Sequence, residues 1–216
     1  MQIEVKICGL SDAESVAAAV KGGARYLGFV FCDQSRHKIA ASTAASLMAQ
    51  VEAPIQTVGL FVDPSDDDLA RVLKIAPLKM IQLHGNETIE RVLAVKKITG
   101  LPIIKAIGIA TSQDIEKAKT YEQVADILLL DAKPATGGPS GGNGIVFDWS
   151  LLKNAVFLKP WLLAGGLHEG NIEAAVMATG ARVLDVSSGV EEATGKKSPF
   201  KIKAFLDKAH KIETCC

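Results

Sequence analysis

The sequence predicts an α/β fold: one (β/α)8 TIM barrel spanning residues 1–216. Three observations predict it. Short β-rich runs alternate with helical segments along the whole chain, and strict alternation calls for parallel strands with right-handed crossovers. The runs number eight, and the length of 216 residues falls within the roughly 200–250 residues a closed barrel needs. The first run ends in Cys8-Gly9-Leu10 and lacks the GxGxxG turn that open doubly wound sheets usually carry there.

The expected strands, in order, are Ile3–Cys8, Tyr26–Phe31, Thr57–Val62, Met80–Leu83, Ile103–Ile107, Ala125–Leu130, Trp161–Ala164 and Val183–Val186. Each is short and rich in residues that favour a pleated, buried surface. The expected helices between them begin with Asp12–Lys21, which gathers Val16, Ala17 and Val20 on one side, and Ser42–Val51, with Ser42 as its cap. Ser65–Ile75 follows, opening with Ser65 and the acids Asp66, Asp67 and Asp68. Such a start suits the partial positive charge of a helix N-terminus. Asn86–Ile98, Ser112–Tyr121, a short helix at Trp149–Asn154, Glu169–Thr179 and Pro199–Lys211 complete the series. The unpatterned, Gly-rich stretch Asp131–Val146 reads as a mobile active-site loop.

Composition narrows the function. The 24 basic and 24 acidic residues balance, so no nucleic-acid partner is expected, because binding phosphate backbones takes a basic surplus on one face. No apolar run reaches the roughly 18 residues of a membrane span, and the N-terminus carries no signal-peptide pattern. A cytoplasmic protein without a membrane partner is expected. The four cysteines, Cys8, Cys32, Cys215 and Cys216, match neither zinc nor disulfide spacing and read as reduced thiols. No function is assigned to the terminal pair.

In a barrel, catalytic groups come from the C-terminal ends of strands and the loops after them. The reactive residues there are Cys8, His84, Asp131, Gly165-Gly166 and Ser187-Ser188-Gly189. Alternation along the first strand puts Glu4, Lys6 and Cys8 on the interior face and Ile3, Val5 and Ile7 outside. Cys8 is then either a small buried filler or a reactive thiol. The polar interior favours the second, with the Lys6 ammonium expected to lower the thiol pKa. Asp131 follows the apolar run Ile127–Leu130. It is either a turn former or an acid at a dry rim, where desolvation favours the proton-donating form. The two glycine-bearing segments end consecutive strands, where barrels often bind phosphate through backbone N–H groups; ordinary tight turns are the alternative. His84 reads either as functional, a base or a ligand, or as structural, which its place in Gln82-Leu83-His84-Gly85 favours. No second His, Asp or Glu stands at metal spacing from it, so no metal is expected.

Lys6-Ile7-Cys8-Gly9-Leu10, Gly28-Phe29-Val30-Phe31, Gln82-Leu83-His84-Gly85, Leu130-Asp131, Phe147-Asp148-Trp149, Ala164-Gly165-Gly166-Leu167 and Asp185-Val186-Ser187-Ser188-Gly189-Val190-Glu191 together resemble phosphoribosylanthranilate isomerases. They fall in the family's order across nearly the whole chain.

The resemblance implies an Amadori rearrangement of N-(5-phosphoribosyl)anthranilate to 1-(2-carboxyphenylamino)-1-deoxyribulose 5-phosphate in tryptophan biosynthesis. It implies no cofactor, a phosphorylated small-molecule substrate, and a monomer or homodimer. The family's general base maps to Cys8 and its general acid to Asp131. Lys6, His84, Gly165, Gly166, Ser187, Ser188 and Gly189 are the expected substrate-binding residues, with Arg36 and His37. The family often reads Ser-Pro-Arg in the second loop, where its Arg meets the anthranilate carboxylate. Here Ser35-Arg36-His37-Lys38-Ile39 puts His37 in the Arg column, and Arg36, His37 or Lys38 takes that contact. Ile145 stands where the family commonly has Lys. Two other readings fit the sequence: a related phosphoribosyl aminoaldose isomerase, against which Cys8 argues, and a phosphosugar-binding barrel that has lost turnover.

Overall fold

The computed structural model describes residues 2–133 and 147–212. Most of the Gly-rich stretch, including Gly137–Gly144 and Ile145, lies outside the described residues, as do Cys215 and Cys216.

Eight parallel strands close into a barrel in sequence order: β1 (Glu4–Cys8), β2 (Tyr26–Val30), β3 (Gln56–Phe61), β4 (Met80–Leu83), β5 (Ile103–Ile109), β6 (Ile127–Ala132), β7 (Trp161–Leu163) and β8 (Val183–Val186). Among the described residues seven helices lie between and after them: α1 (Ala13–Lys21), α2 (Ala41–Met48), α3 (Asp66–Leu73), α4 (Ile89–Thr99), α5 (Ser112–Thr120), α6 (Ile172–Thr179) and α7 (Pro199–Lys211). Among the described residues the sixth unit carries a 3-10 turn at Trp149–Leu152, two residues shorter than the expected short helix Trp149–Asn154. After β8 come a 3-10 turn at Ser188–Val190 and a small antiparallel hairpin, β9 (Glu191–Ala193) and β10 (Lys196–Lys197).

Helix starts follow local chemistry. Ser65 and Thr111 each form a reciprocal cap with the acid three residues on, Asp68 and Asp114. Such caps satisfy backbone donors that the first helical turn leaves unpaired. Two expectations are corrected. Ser42 is not a cap: α2 opens after Ala40, which makes no side-chain capping bond. The sixth strand runs on through Asp131 to Ala132, because pairing with β5 continues to Ile109↔Ala132, so Asp131 belongs to the strand and not to a loop.

Two apolar layers hold the fold. The larger lies between strands and helices and includes Ile7, Leu27, Phe29, Ile81, Leu128 and Phe205. The smaller fills the barrel with Tyr26, Val58, Met80, Ile104, Ala106, Leu129, Leu162 and Ala164. Burial of this kind contributes about 25 cal/mol per Å². The interior therefore has a dry lower part, and the polar side chains collect at the C-terminal ends of the strands. Among the described residues no helix is long and apolar enough to cross a membrane.

Candidate active site

Cys8 closes β1 on the interior face and is 5% exposed. Lys6, two residues earlier on the same face, is fully buried and holds the Asp185 carboxylate at 2.8 Å. The two are direct partners in the β1–β8 register. Burial alone would push the Lys6 ammonium down, but the Asp185 carboxylate and the Cys8 sulfur outweigh it and hold Lys6 above its ordinary value. Burial pushes the Cys8 thiol up. Lys6 pulls the other way, Asp185 opposes Lys6, and Lys197 adds a smaller downward pull. The expected low-pKa thiol is thus corrected: the ammonium is present, but its effect is smaller than the loss of water, and its charge is shared with Asp185.

Gly28 on β2 explains how these groups fit. A Cβ there would stand 3.0 Å from the Cys8 sulfur and 3.2 Å from Lys6 Nζ. The bare position leaves room for both beside β2.

Asp131 sits near the end of β6, also 5% exposed. Its Oδ1 accepts the Ala132 N–H at 2.8 Å. Its Oδ2 lies 3.2 Å from His84 Nε2, and His84 Nδ1 lies 2.8 Å from Gln82 Nε2. Gln82, His84 and Asp131 form one polar chain across β4 and β6. Gln82 is fully buried, and among the described residues its Oε1 has no hydrogen-bond partner. Of the two readings of His84, the geometry puts its ring against a carboxylate at the strand ends.

The two glycine segments meet. Gly165 and Gly166 adopt φ of 89° and 62°, which glycine tolerates without the Cβ penalty. A Cβ at Gly165 would meet Ala132 at 2.6 Å, and one at Gly189 would meet the Leu167 carbonyl oxygen at 1.9 Å. The loops after β7 and β8 therefore press backbone to backbone, with Ser187, Ser188 and Gly189 half-buried. Ser187 is engaged already: Lys197 Nζ donates to its carbonyl and hydroxyl oxygens at 3.0 Å each.

The three candidate residues of the second loop separate cleanly. His37 is buried, its Nε2 2.7 Å from Glu191 Oε1, and its ring packs on Gly9 beside Cys8. Burial and the nearby Lys197 hold its imidazole below the ordinary value, against the bond to Glu191. Lys38 points to Asp33 at 2.7 Å on the exposed side. Arg36 is 42% exposed and reaches Glu191 Oε2 at 3.6 Å. Glu191 anchors this corner. Burial would raise its carboxyl, but the Gly195 N–H, Lys197 and His37 bring it down to about 2.

Four of these groups carried no assignment in the sequence reading. Asp185 shares the interior face with Val183, opposite Leu184 and Val186, so strand alternation contained the signal. Glu191 and Gln82 sat inside the quoted motifs without roles. Lys197 had no local signal, since the β9–β10 hairpin alone carries it back to Ser187 and Glu191. Among the described residues no group of three or more His, Cys, Asp or Glu could hold a metal ion.

A family model described as N-(5'-phosphoribosyl)anthranilate (PRA) isomerase matches residues 5–208. The isomerase of that name from Paracoccus denitrificans is 51% identical over 97% of this chain and 98% of its own length. The crystal structure of the Thermotoga maritima enzyme superposes with a TM-score of 0.83 at 34% identity, covering 96% of this chain and 98% of that one. A crystal structure of a phosphoribosyl anthranilate isomerase in complex with reduced 1-(o-carboxyphenylamino)-1-deoxyribulose 5-phosphate gives 0.81 at 32% identity, covering 96% of this chain and 98% of that one.

Proposed function

This chain belongs to the N-(5'-phosphoribosyl)anthranilate isomerase family and converts phosphoribosylanthranilate to the carboxyphenylamino-deoxyribulose phosphate in tryptophan biosynthesis, and on that premise we propose that Cys8 and Asp131 divide its proton transfers. The observation that carries the reading is topological. Cys8 ends β1 and Asp131 stands one residue before the end of β6, and in barrel order only β7 and β8, the two strands bearing the glycine segments, stand between them on that side. A pentose phosphate with its phosphate on those loops lies between the acid and the base.

Asp131, protonated, gives its proton to the furanose ring oxygen as the C1–O bond breaks, leaving an iminium at C1. The Cys8 thiolate takes the proton from C2, and the C2–H electrons form the enolamine. A proton added at C1 and the enol proton released complete the ketone and restore both groups. The reaction needs an ionised base and a protonated acid at once. Lys6 and Lys197 support the thiolate against burial. His84 and the Ala132 N–H fix the two carboxyl oxygens of Asp131. The phosphate rests on the N–H groups of Gly166, Ser188 and Gly189, with Gly165 and Ser187 shaping the cradle.

Arg36 is the residue proposed to meet the anthranilate carboxylate. His37 is buried against Glu191 and Lys38 is a single ammonium paired with Asp33, while Arg36, which also reaches Glu191, presents a partly exposed planar guanidinium suited to bidentate carboxylate binding. A free phosphorylated metabolite as substrate fits a cytoplasmic enzyme with no cofactor, acting as a monomer or homodimer.

The test is turnover of the fluorescent substrate by Cys8→Ala and Asp131→Asn. General acid and base groups contribute about 10²- to 10⁴-fold each, so each variant is expected to lose that much kcat while still binding the reduced product analogue. Wild-type kcat in either variant would overturn the assignment.

A further inference from the structure

Outside the barrel wall lies a second buried charge cluster that the mechanism above does not use. Lys105 is the register partner of Leu83 across β4 and β5. Its neighbours Ile104 and Ala106 fill the barrel interior, so its own side chain faces outward, where it is 2% exposed. Its ammonium meets the fully buried Glu87 carboxylate at 2.8 Å. It also donates to the carbonyl oxygens of Leu83 at 3.4 Å and Gly85 at 2.9 Å. Glu87 Oε1 accepts the N–H groups of Gly85 at 3.0 Å and Asp63 at 2.9 Å. Tyr121 donates its hydroxyl to the Glu87 carbonyl at 2.9 Å.

These bonds enclose one residue. The Leu83 carbonyl, the Gly85 N–H and the Gly85 carbonyl belong to three successive peptide groups around His84, and the Lys105–Glu87 pair binds all three. The His84 N–H is taken by the Phe61 carbonyl at 2.8 Å. Among the described residues the His84 ring bonds to Gln82 and Asp131, and its direction follows from how the backbone beneath it is held. A buried ion pair is costly to maintain for stability alone, since a well-packed apolar pair often does as well.

We infer that Lys105 and Glu87 are positioning residues for the reaction: the pair locks the backbone around His84, and through His84 the direction in which Asp131 presents its proton. The inference rests on the assignment of Asp131 as the acid. Neither Lys105 nor Glu87 touches the reacting atoms.

The test uses the full chain with two substitutions, Lys105→Met and the milder Tyr121→Phe, each read by kcat and KM separately and by nitrogen-15 NMR of the histidine rings. His84 is assigned among the four histidines by its loss in His84→Gln. Misplacing a reacting group by about 1 Å costs on the order of 100-fold. Lys105→Met is therefore expected to lower kcat about 10- to 100-fold, leave KM within about twofold, and shift or broaden the His84 ring signals. Tyr121→Phe removes one bond, with an expected loss of about two- to fivefold in kcat, and it decides the matter if Lys105→Met does not fold. Wild-type kcat and unchanged His84 signals in a folded but less stable variant would overturn the inference. The ring signals report the positioning whatever Asp131 does, and the Asp131→Asn assay reports the acid whatever Lys105 does, so the two failures are distinguishable.

Discussion

The two sides of the strand-end rim are built differently. Around Cys8 stand full charges in dry surroundings: Lys6, Asp185 and, from the hairpin, Lys197. Around Asp131 the contacts are an imidazole, a side-chain amide beyond it and one backbone N–H. A thiol buried in apolar surroundings needs cations to become a base, whereas a carboxyl that must give up a proton is served by groups that orient it. The base side is thus tied to the stability of the fold through a buried ion pair, and the acid side to geometry through hydrogen bonds.

That contrast can be broken most directly at Lys6. Lys6→Met strands Asp185 in the interior, and removing one member of a buried pair costs about 3–5 kcal/mol. Urea unfolding is expected to register that loss, with Asp131→Asn within about 1 kcal/mol of wild type although its turnover collapses. Equal destabilisation of the two variants would erase the distinction.

A smaller effect is expected where the rim meets the aromatic end of the substrate. Arg36→Ala removes a charged hydrogen-bonding group worth about 1.5–3 kcal/mol. KM should rise about tenfold or more, with kcat nearly unchanged. His37→Gln, by comparison, should act on the loop's anchorage to Glu191 and leave KM the less affected of the two. The reverse order would assign the carboxylate contact to position 37.

The smallest effect concerns pH. Glu191 is held at about 2 in the fold against an ordinary 4.5. Its folded value is depressed, so the stabilisation is fully present above pH 4.5 and is lost as pH falls from there toward 2. Melting temperatures between pH 5 and 3 should drop by about 2–4 °C more in the wild type than in Glu191→Gln. Parallel curves would show that the carboxylate contributes nothing in that window.

Much of the barrel was legible because local signals coincide with its ends. Met80–Leu83, Val183–Val186 and Pro199–Lys211 are bounded as expected, each by a change from apolar pattern to turn or capping residues. β6 ends two residues later than expected because an acid after four apolar residues looks like a loop, while the pairing that carries the strand on lies on β5. Ser42 looked like a cap because hydroxyl residues favour caps, yet Ala40 holds that position. At the site, Cys8, His84 and Asp131 could be placed from strand ends alone. Their surroundings could not: Lys6 and Asp185 are 179 residues apart and His37 and Glu191 are 154 apart. No periodicity reports such pairings, which exist only once the cylinder closes.

The apolar filling of the lower barrel closes the approach to Cys8 from that side and leaves the strand-end side. Sugar, product and any small electrophile therefore share one direction of approach to the sulfur of Cys8. A seated substrate therefore shelters the nucleophile that acts on it, and the resting enzyme is the form in which alkylating reagents or oxidants can compete for that atom.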